Sequence, residues 1–187
     1  MAEQVKTVQH GYHPHYKRFN LYCLDESRFG LLTLAHKALT ARAVKPLCTY
    51  QHRFETTYLY GAFSPITGSH LLLELPTCNS ETFQFFLNQL ANVDPQEFKI
   101  VLLDNAAFHK AKTLILPANV YLLFLPPYSP ELNPAEKVWW MLKRELKNRF
   151  FKTLEDLQQA LTAAITKCCT QSAIQQLTAF SYYQIPL

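Results

Sequence analysis

Three carboxylates in this chain stand where apolar runs end or where a helix begins. Residues 19–24 (FNLYCL) lead into Asp25, and residues 99–103 (KIVLL) lead into Asp104. Glu136 opens the helical stretch that follows the proline-rich PPYSPELNP. If the two runs are neighbouring strands, Asp25 and Asp104 emerge at the same sheet edge. Carboxylates held that close repel unless a cation lies between them or one takes a proton. Magnesium suits such a group, because it takes a few hard oxygen ligands and keeps waters for a substrate phosphate. Taken singly, Asp25 and Asp104 read better as acids capping turns, and Asp104-Asn105 is an ordinary turn dipeptide. The metal chemistry needs all three.

Glu136 has its own structural reading. Asn133-Pro134-Ala135-Glu136 fits a helix start with Asn133 as N-cap and Pro134 at the first position, and Glu136 bonding back to the cap. At about 100° per residue, Ala135, Val138, Trp139, Leu142 and Leu146 make the buried face. Glu136 then lies on its edge, in line with Trp140, Lys143 and Lys147. An acid at the core boundary, with lysines on successive turns, suits a phosphodiester lying along the helix. From the residues alone, capping and metal binding stand level.

The elements that must position these acids are legible in the pattern. Residues 19–24 read as a strand, and residues 28–36 as its return in a hairpin turning near Gly30. Residues 56–63 and 70–75 read as a second hairpin, joined by Ser64-Pro65-Ile66-Thr67-Gly68. Residues 79–91 form a helix with Ser80 as N-cap and Phe83, Phe86, Leu87 and Leu90 on one face. Residues 99–103 and 120–125 lack polar alternation, as buried parallel strands do. Residues 110–116 read as a short helix, 133–150 as a long one, and 153–168 as another with a Thr153–Asp156 capping box. Hairpins followed by alternating helices and strands predict an α/β fold, a mixed sheet with helices on both faces. By analogy this is the ribonuclease H arrangement. The expected division is an entry segment over 1–18, a catalytic domain over 19–170, and a docked tail over 171–187 carrying Phe180, Tyr182 and Tyr183.

Composition sets the remaining bounds. With 187 residues, 49% hydrophobic and 17% charged, the chain suits one ordered domain. A net charge of +4 permits nucleic acid as a partner without requiring it. The basic stretch 37–56, with Lys37, Arg42, Lys45 and Arg53, reads either as a loop touching phosphates or as a solvated one. His10, His13 and His15 have no cysteine or carboxylate beside them and read as a frayed entry segment. Cys23, Cys48, Cys78, Cys168 and Cys169 show no C-x-x-C spacing, which predicts reduced thiols. No apolar run reaches the roughly 18 residues of a membrane span. A cytoplasmic protein without membrane association is expected.

The segments LDES around Asp25, LYGAFSPITG, LLDNAAFHKAK around Asp104, and LFLPPYSPELNPAEKVWWMLK around Glu136 together resemble the DDE catalytic domain of mariner-superfamily transposases. The likeness is greatest to the bacterial insertion-sequence branch and covers roughly residues 19–152. It implies a ribonuclease H-like fold, with Asp25, Asp104 and Glu136 as the catalytic, metal-binding triad. The implied cofactor is Mg2+ or Mn2+, as two ions about 3.5–4 Å apart. One would activate a water to attack a phosphodiester at a transposon end, the other would stabilise the leaving 3′ oxygen, and the freed 3′-OH would attack target DNA. Asn105 and, more weakly, His109 are candidate positioning groups, and Lys143, Arg144 and Lys147 candidate phosphate contacts.

The resemblance also implies target choice at TA dinucleotides and a homodimer when active. The connector between Asp104 and Glu136, 31 residues, is a few shorter than expected. The N-terminal helix-turn-helix region that the resemblance would bring is absent, so DNA recognition is expected from an upstream reading-frame product. Two alternatives stand beside transposition: a metal-dependent nuclease without strand transfer, and a catalytically silent fragment that binds DNA or dimerises.

Overall fold

A computed structural model describes residues 16–32, 51–127 and 129–180, together with Thr7, Gly11 and Arg42. Five strands form one sheet: β1 (Arg18–Gly30), β2 (Thr56–Phe63), β3 (His70–Leu75), β4 (Glu97–Leu103) and β5 (Val120–Phe124). Their order across the sheet is β3-β2-β1-β4-β5. The β1–β2 and β2–β3 pairs are antiparallel, while β4 lies parallel to both β1 and β5. Among the described residues four α-helices cover it: α1 (Ser80–Val93), α2 (Ala135–Leu146), α3 (Leu154–Cys168) and α4 (Gln171–Thr178). This is the expected ribonuclease H-like mixed sheet.

Alternation along β1 divides the core. Tyr22 and Leu24 face α1, where Phe83, Phe86, Leu87 and Leu90 pack against Tyr60, Val101 and Leu103. Leu21, Cys23 and Phe29 face the opposite side. There Phe29 meets Val138, Trp139 and Leu142 of α2, Leu157 and Leu161 of α3, and Ile174 of α4. Each such side chain, fully buried, contributes about 1.5–3 kcal/mol. Helices on both faces explain why β4 and β5 carry unbroken apolar runs.

Four local expectations are corrected. The expected hairpin with residues 28–36 as return strand is not made: β1 runs straight through residues 25–27 to Gly30, paired with β2 from Cys23↔Phe63 to Gly30↔Thr56. The polar Asp25-Glu26-Ser27 imitates a turn because each acid has its own partner across the sheet. The N-cap of α1 is Asn79, whose side chain accepts from Glu81 and Thr82, and Ser80 is the first helical residue. Residues 110–116 are not a helix: only Ala107–Lys110 winds, as one 3-10 turn. Finally, α2 ends at Leu146, short of residue 150, where Asn148 takes a positive φ of 58°. The Thr153–Asp156 capping box of α3 forms as expected.

In the C-terminal stretch α4 buries Ile174 and Thr178, and Phe180 packs against the β1–β4 side of the core. Cys23, Cys78, Cys168 and Cys169 are free thiols. His10, His13 and His15, Cys48, most of the basic stretch, and Tyr182 and Tyr183 lie outside the described residues. Among the described residues no helix is long and apolar enough to cross a membrane.

Candidate active site

The parallel pairing of β1 and β4 sets the height of two acids. Its last pair is Cys23↔Leu102, so Asp25 and Asp104 each stand two residues beyond it. They are level with one another at the edge where β4 ends. Side chains two apart on a strand share a face, so Asp25 continues the row of Leu21 and Cys23 toward α2.

Asp25 is largely buried there, and Trp139 Nε1 donates to its Oδ2 at 2.8 Å. Burial pushes its carboxyl up to about 7, with the charges of Glu26 and Asp104 adding to the rise and the Trp139 hydrogen bond opposing it. Gly61 lies opposite Asp25 on β2. A Cβ at Gly61 would stand 2.6 Å from the Trp139 ring and 2.5 Å from the Phe63 ring. The glycine is what lets the indole lie close to the sheet and reach the acid.

Asp104 is more open, its side chain 61% exposed. Its Oδ1 accepts from Ala106 N at 2.9 Å, closing the turn after β4. Glu136 is exposed in the first turn of α2. Asn133 ties that turn to the sheet: its Nδ2 donates to Leu24 O at 2.8 Å, and its Oδ1 accepts from Ala135 N at 3.1 Å. The expected cap is displaced by one residue: Ala135 is the first helical residue and Pro134 the N-cap, without a side-chain cap bond, while Asn133 bonds Ala135 N from just before it. The return bond from Glu136 is not made, and among the described residues its carboxylate has no hydrogen-bond partner.

Asp25, Asp104 and Glu136 line one cleft of about 500 Å3, walled by Leu125, Pro126 and Pro127. Among the described residues no basic side chain lines it. Among the described residues no three His, Cys, Asp or Glu side chains are spaced to ligate a single ion. Bringing carboxylates together without a cation costs Coulomb energy. The donor set nevertheless fits a hard divalent cation, being all carboxylate oxygen in a cleft that supplies no positive charge of its own.

Asn105 and His109 lie beside the cleft. Asn105 Nδ2 donates to Leu125 O at 2.5 Å, and Lys110 Nζ donates to Asn105 Oδ1. The side chain clamps the end of β4 to the residue after β5. His109, 2% exposed, packs on Phe83 and Phe108. Its Nε2 lies 3.1 Å from Glu26 Oε1. Its Nδ1 lies 2.9 Å from Asp104 Oδ1, out of line for a hydrogen bond, and has no other partner. Burial alone would lower the imidazole pKa, but the hydrogen bond and charge of Glu26, with Asp104 behind them, raise it overall. Lys143, Arg144 and Lys147 are exposed toward the C-terminal end of α2. Arg144 lies over Trp140, 4.9 Å from its ring, and Lys143 over Phe29 at 5.7 Å.

Glu26 escapes a reading of the sequence, because a polar triplet after an apolar run looks like a turn. The signal that could find it is the alternation itself, which continues through Ser27 to Phe29. Trp139 is legible as core but not as a partner of Asp25.

The family model for DDE superfamily endonucleases matches residues 20–158. An uncharacterised protein, y4pE/y4sA of Sinorhizobium fredii (strain NBRC 101917 / NGR234), is 39% identical over 114 residues, covering 60% of this chain and 79% of that protein. The fold is also that of the Mos1 mariner paired-end complex with Mn, with TM-score 0.67, 19% identity, and coverage of 98% of this chain and 59% of that one. The catalytic domain of Mos1 mariner transposase gives TM-score 0.58 and 16% identity, over 95% of this chain and 84% of that domain. The chain thus spans about 59% of the length of the Mos1 chains in the paired-end complexes. With three carboxylates on one cleft of a ribonuclease H-like sheet, and the family model matched over most of its length, the chain belongs to the DDE superfamily endonucleases.

Proposed function

We infer that this chain is a transposase catalytic domain that hydrolyses DNA phosphodiesters at transposon ends and joins the freed 3′ ends to target DNA. The observation carrying this reading is the register that sets Asp25 and Asp104 level at one sheet edge, with Glu136 across the same cleft. Asp25, Asp104 and Glu136 would hold Mg2+ or Mn2+. When bound, such ions polarise a phosphoryl oxygen and make a bound water easier to deprotonate.

The remaining work falls to the protein's own side chains. Trp139 fixes Asp25 Oδ2, so the strand acid keeps one rotamer in a site that must be held to within about half an ångström. Asn133 fixes the start of α2 against Leu24 and so sets where Glu136 stands. Leu125, Pro126 and Pro127 wall the cleft and keep one side of it apolar. Lys143, Arg144 and Lys147 receive the phosphate backbone as it leaves the cleft along α2. Contacts of that kind position DNA without reading its sequence. Recognition of the terminal sequence is assigned to another region or an upstream product, and pairing of two ends to a homodimer.

The test is cleavage of a supercoiled plasmid in Mn2+, followed by joining of a labelled 3′-OH oligonucleotide to a second plasmid. Cleavage and joining by the unmodified protein, both lost in Asp104→Asn and in Glu136→Gln, are the expected results. Cleavage without joining would reduce the function to that of a nuclease. Cleavage that persists in both folded variants would place the chemistry elsewhere.

A further inference from the structure

Asp25 and Glu26 are neighbours on β1 and therefore point to opposite faces of the sheet. Asp25 enters the cleft, whereas Glu26 goes under the sheet toward α1, its side chain 9% exposed. A second carboxylate buried beside the first calls for a reason, because isolated buried acids are costly. Its partner is His109, also buried, at 3.1 Å through Nε2. The other ring nitrogen faces Asp104 Oδ1 at 2.9 Å. The three side chains thus form a row, Glu26–His109–Asp104, running from beneath the sheet up to the cleft.

The row is anchored at its lower end and open at its upper end. The His109 ring packs against Phe83 at 4.5 Å and Phe108 at 4.2 Å between centroids, the two phenyl rings meeting it from adjacent sides. Asp104 Oδ1 accepts from Ala106 N at 2.9 Å, and the imidazole Nδ1 lies beside it at 2.9 Å. Its Oδ2 has no hydrogen bond among the described residues.

We propose that Glu26 and His109 form a brace that positions Asp104, fixing its Oδ1 so that Oδ2 is presented to a divalent cation in the cleft. This rests on the metal reading of Asp25, Asp104 and Glu136. Neither Glu26 nor His109 touches substrate or cation; both are positioning residues, and Glu26 acts through His109. Partners of this kind, one bond removed from a ligand, typically change metal affinity by 10–100-fold when removed.

The experiment is Mn2+ binding to the full chain, read from the electron paramagnetic resonance signal of free Mn2+, with the thermal midpoint of the metal-free protein measured alongside. The proteins compared are the unmodified chain, Asp104→Asn, His109→Ala, Glu26→Gln and the Glu26→Gln/His109→Ala double variant. Asp104→Asn should lose the site. His109→Ala should weaken Mn2+ by about 10–100-fold, and Glu26→Gln should weaken it in the same direction. The double variant should be no weaker than His109→Ala, since residues acting in series are non-additive.

A merely structural histidine would lower the thermal midpoint and leave Mn2+ affinity within twofold, and that result overturns the proposal. Additive losses in the double variant would also overturn it, because they would mean that Glu26 acts on the ion directly by charge. Should His109→Ala fail to fold, Glu26→Gln decides: a folded variant with unchanged Mn2+ affinity removes the brace. Mn2+ binding that ignores Asp104→Asn would instead overturn the metal reading, and the brace with it.

Discussion

Trp139 on helix α2 donates its indole N–H to Asp25 Oδ2 on strand β1, across 2.8 Å. One residue thereby joins the hydrophobic face of a helix to the acid of the site. The contact depends on a position with no side chain, Gly61, and it opposes the burial that raises the Asp25 carboxyl.

That arrangement makes the metal-free protein sensitive to pH in a defined direction. The Asp25 carboxyl is raised from 3.8 to about 7, so between those values the folded state binds a proton that the unfolded state does not. Stability from this group is therefore greatest at low pH and falls as pH rises through about 7, by roughly 2–4 kcal/mol. His109, also raised, adds a loss of the same sign as pH rises through its folded value. Asp25→Asn isolates the first contribution. Urea unfolding without metal should find it about as stable as the unmodified protein at pH 4 and more stable at pH 8, although inactive.

Gly61→Ala should cost about 1–3 kcal/mol, the usual range for overpacking a filled core. Because the new methyl would meet the Trp139 and Phe63 rings, the indole must retreat from Asp25. Plasmid cleavage should fall even at temperatures where the variant is fully folded. Equal activity per folded molecule would mean that Trp139 does not position Asp25.

Asn133→Ala removes two hydrogen bonds from a buried side chain and leaves the Leu24 carbonyl and the Ala135 N–H to be satisfied otherwise. A loss of about 1–3 kcal/mol is expected from chemical unfolding. Cleavage should drop further than stability explains, since the start of α2 also sets Glu136.

Charge removal along α2 should weaken DNA without regard to sequence. Lys143→Ala, Arg144→Ala and Lys147→Ala should each lower affinity and reduce the slope of log affinity against log salt by about 1. A variant that keeps its salt slope would be a solvated helix position.

The apolar runs of β4 and β5, the hairpin of β2 and β3, the face of α2 and the Thr153 capping box all follow from periodicity and end chemistry in the amino-acid sequence. The three acids are legible there as a group too. What stays hidden depends on contacts distant along the chain. The Asp25-Glu26-Ser27 triplet looks like a turn because the partners that let a strand carry two acids, Trp139 and His109, are more than 80 residues away. Asn105 looks free because nothing local shows that its amide is occupied by Leu125. The stretch at 110–116 looks helical because Lys-Ala-Lys-Thr-Leu has helical spacing, yet it is tied to α1 through Gln84 and Ile115 instead.

The central claim is that Asp25, Asp104 and Glu136 share divalent cations. The most direct measurement is anomalous diffraction from crystals grown in MnCl2 near pH 7.5. One or two manganese peaks within bonding distance of carboxylate oxygens of Asp25, Asp104 and Glu136 are predicted. Full manganese occupancy elsewhere, with the cleft between β1, β4 and α2 empty, would contradict the account.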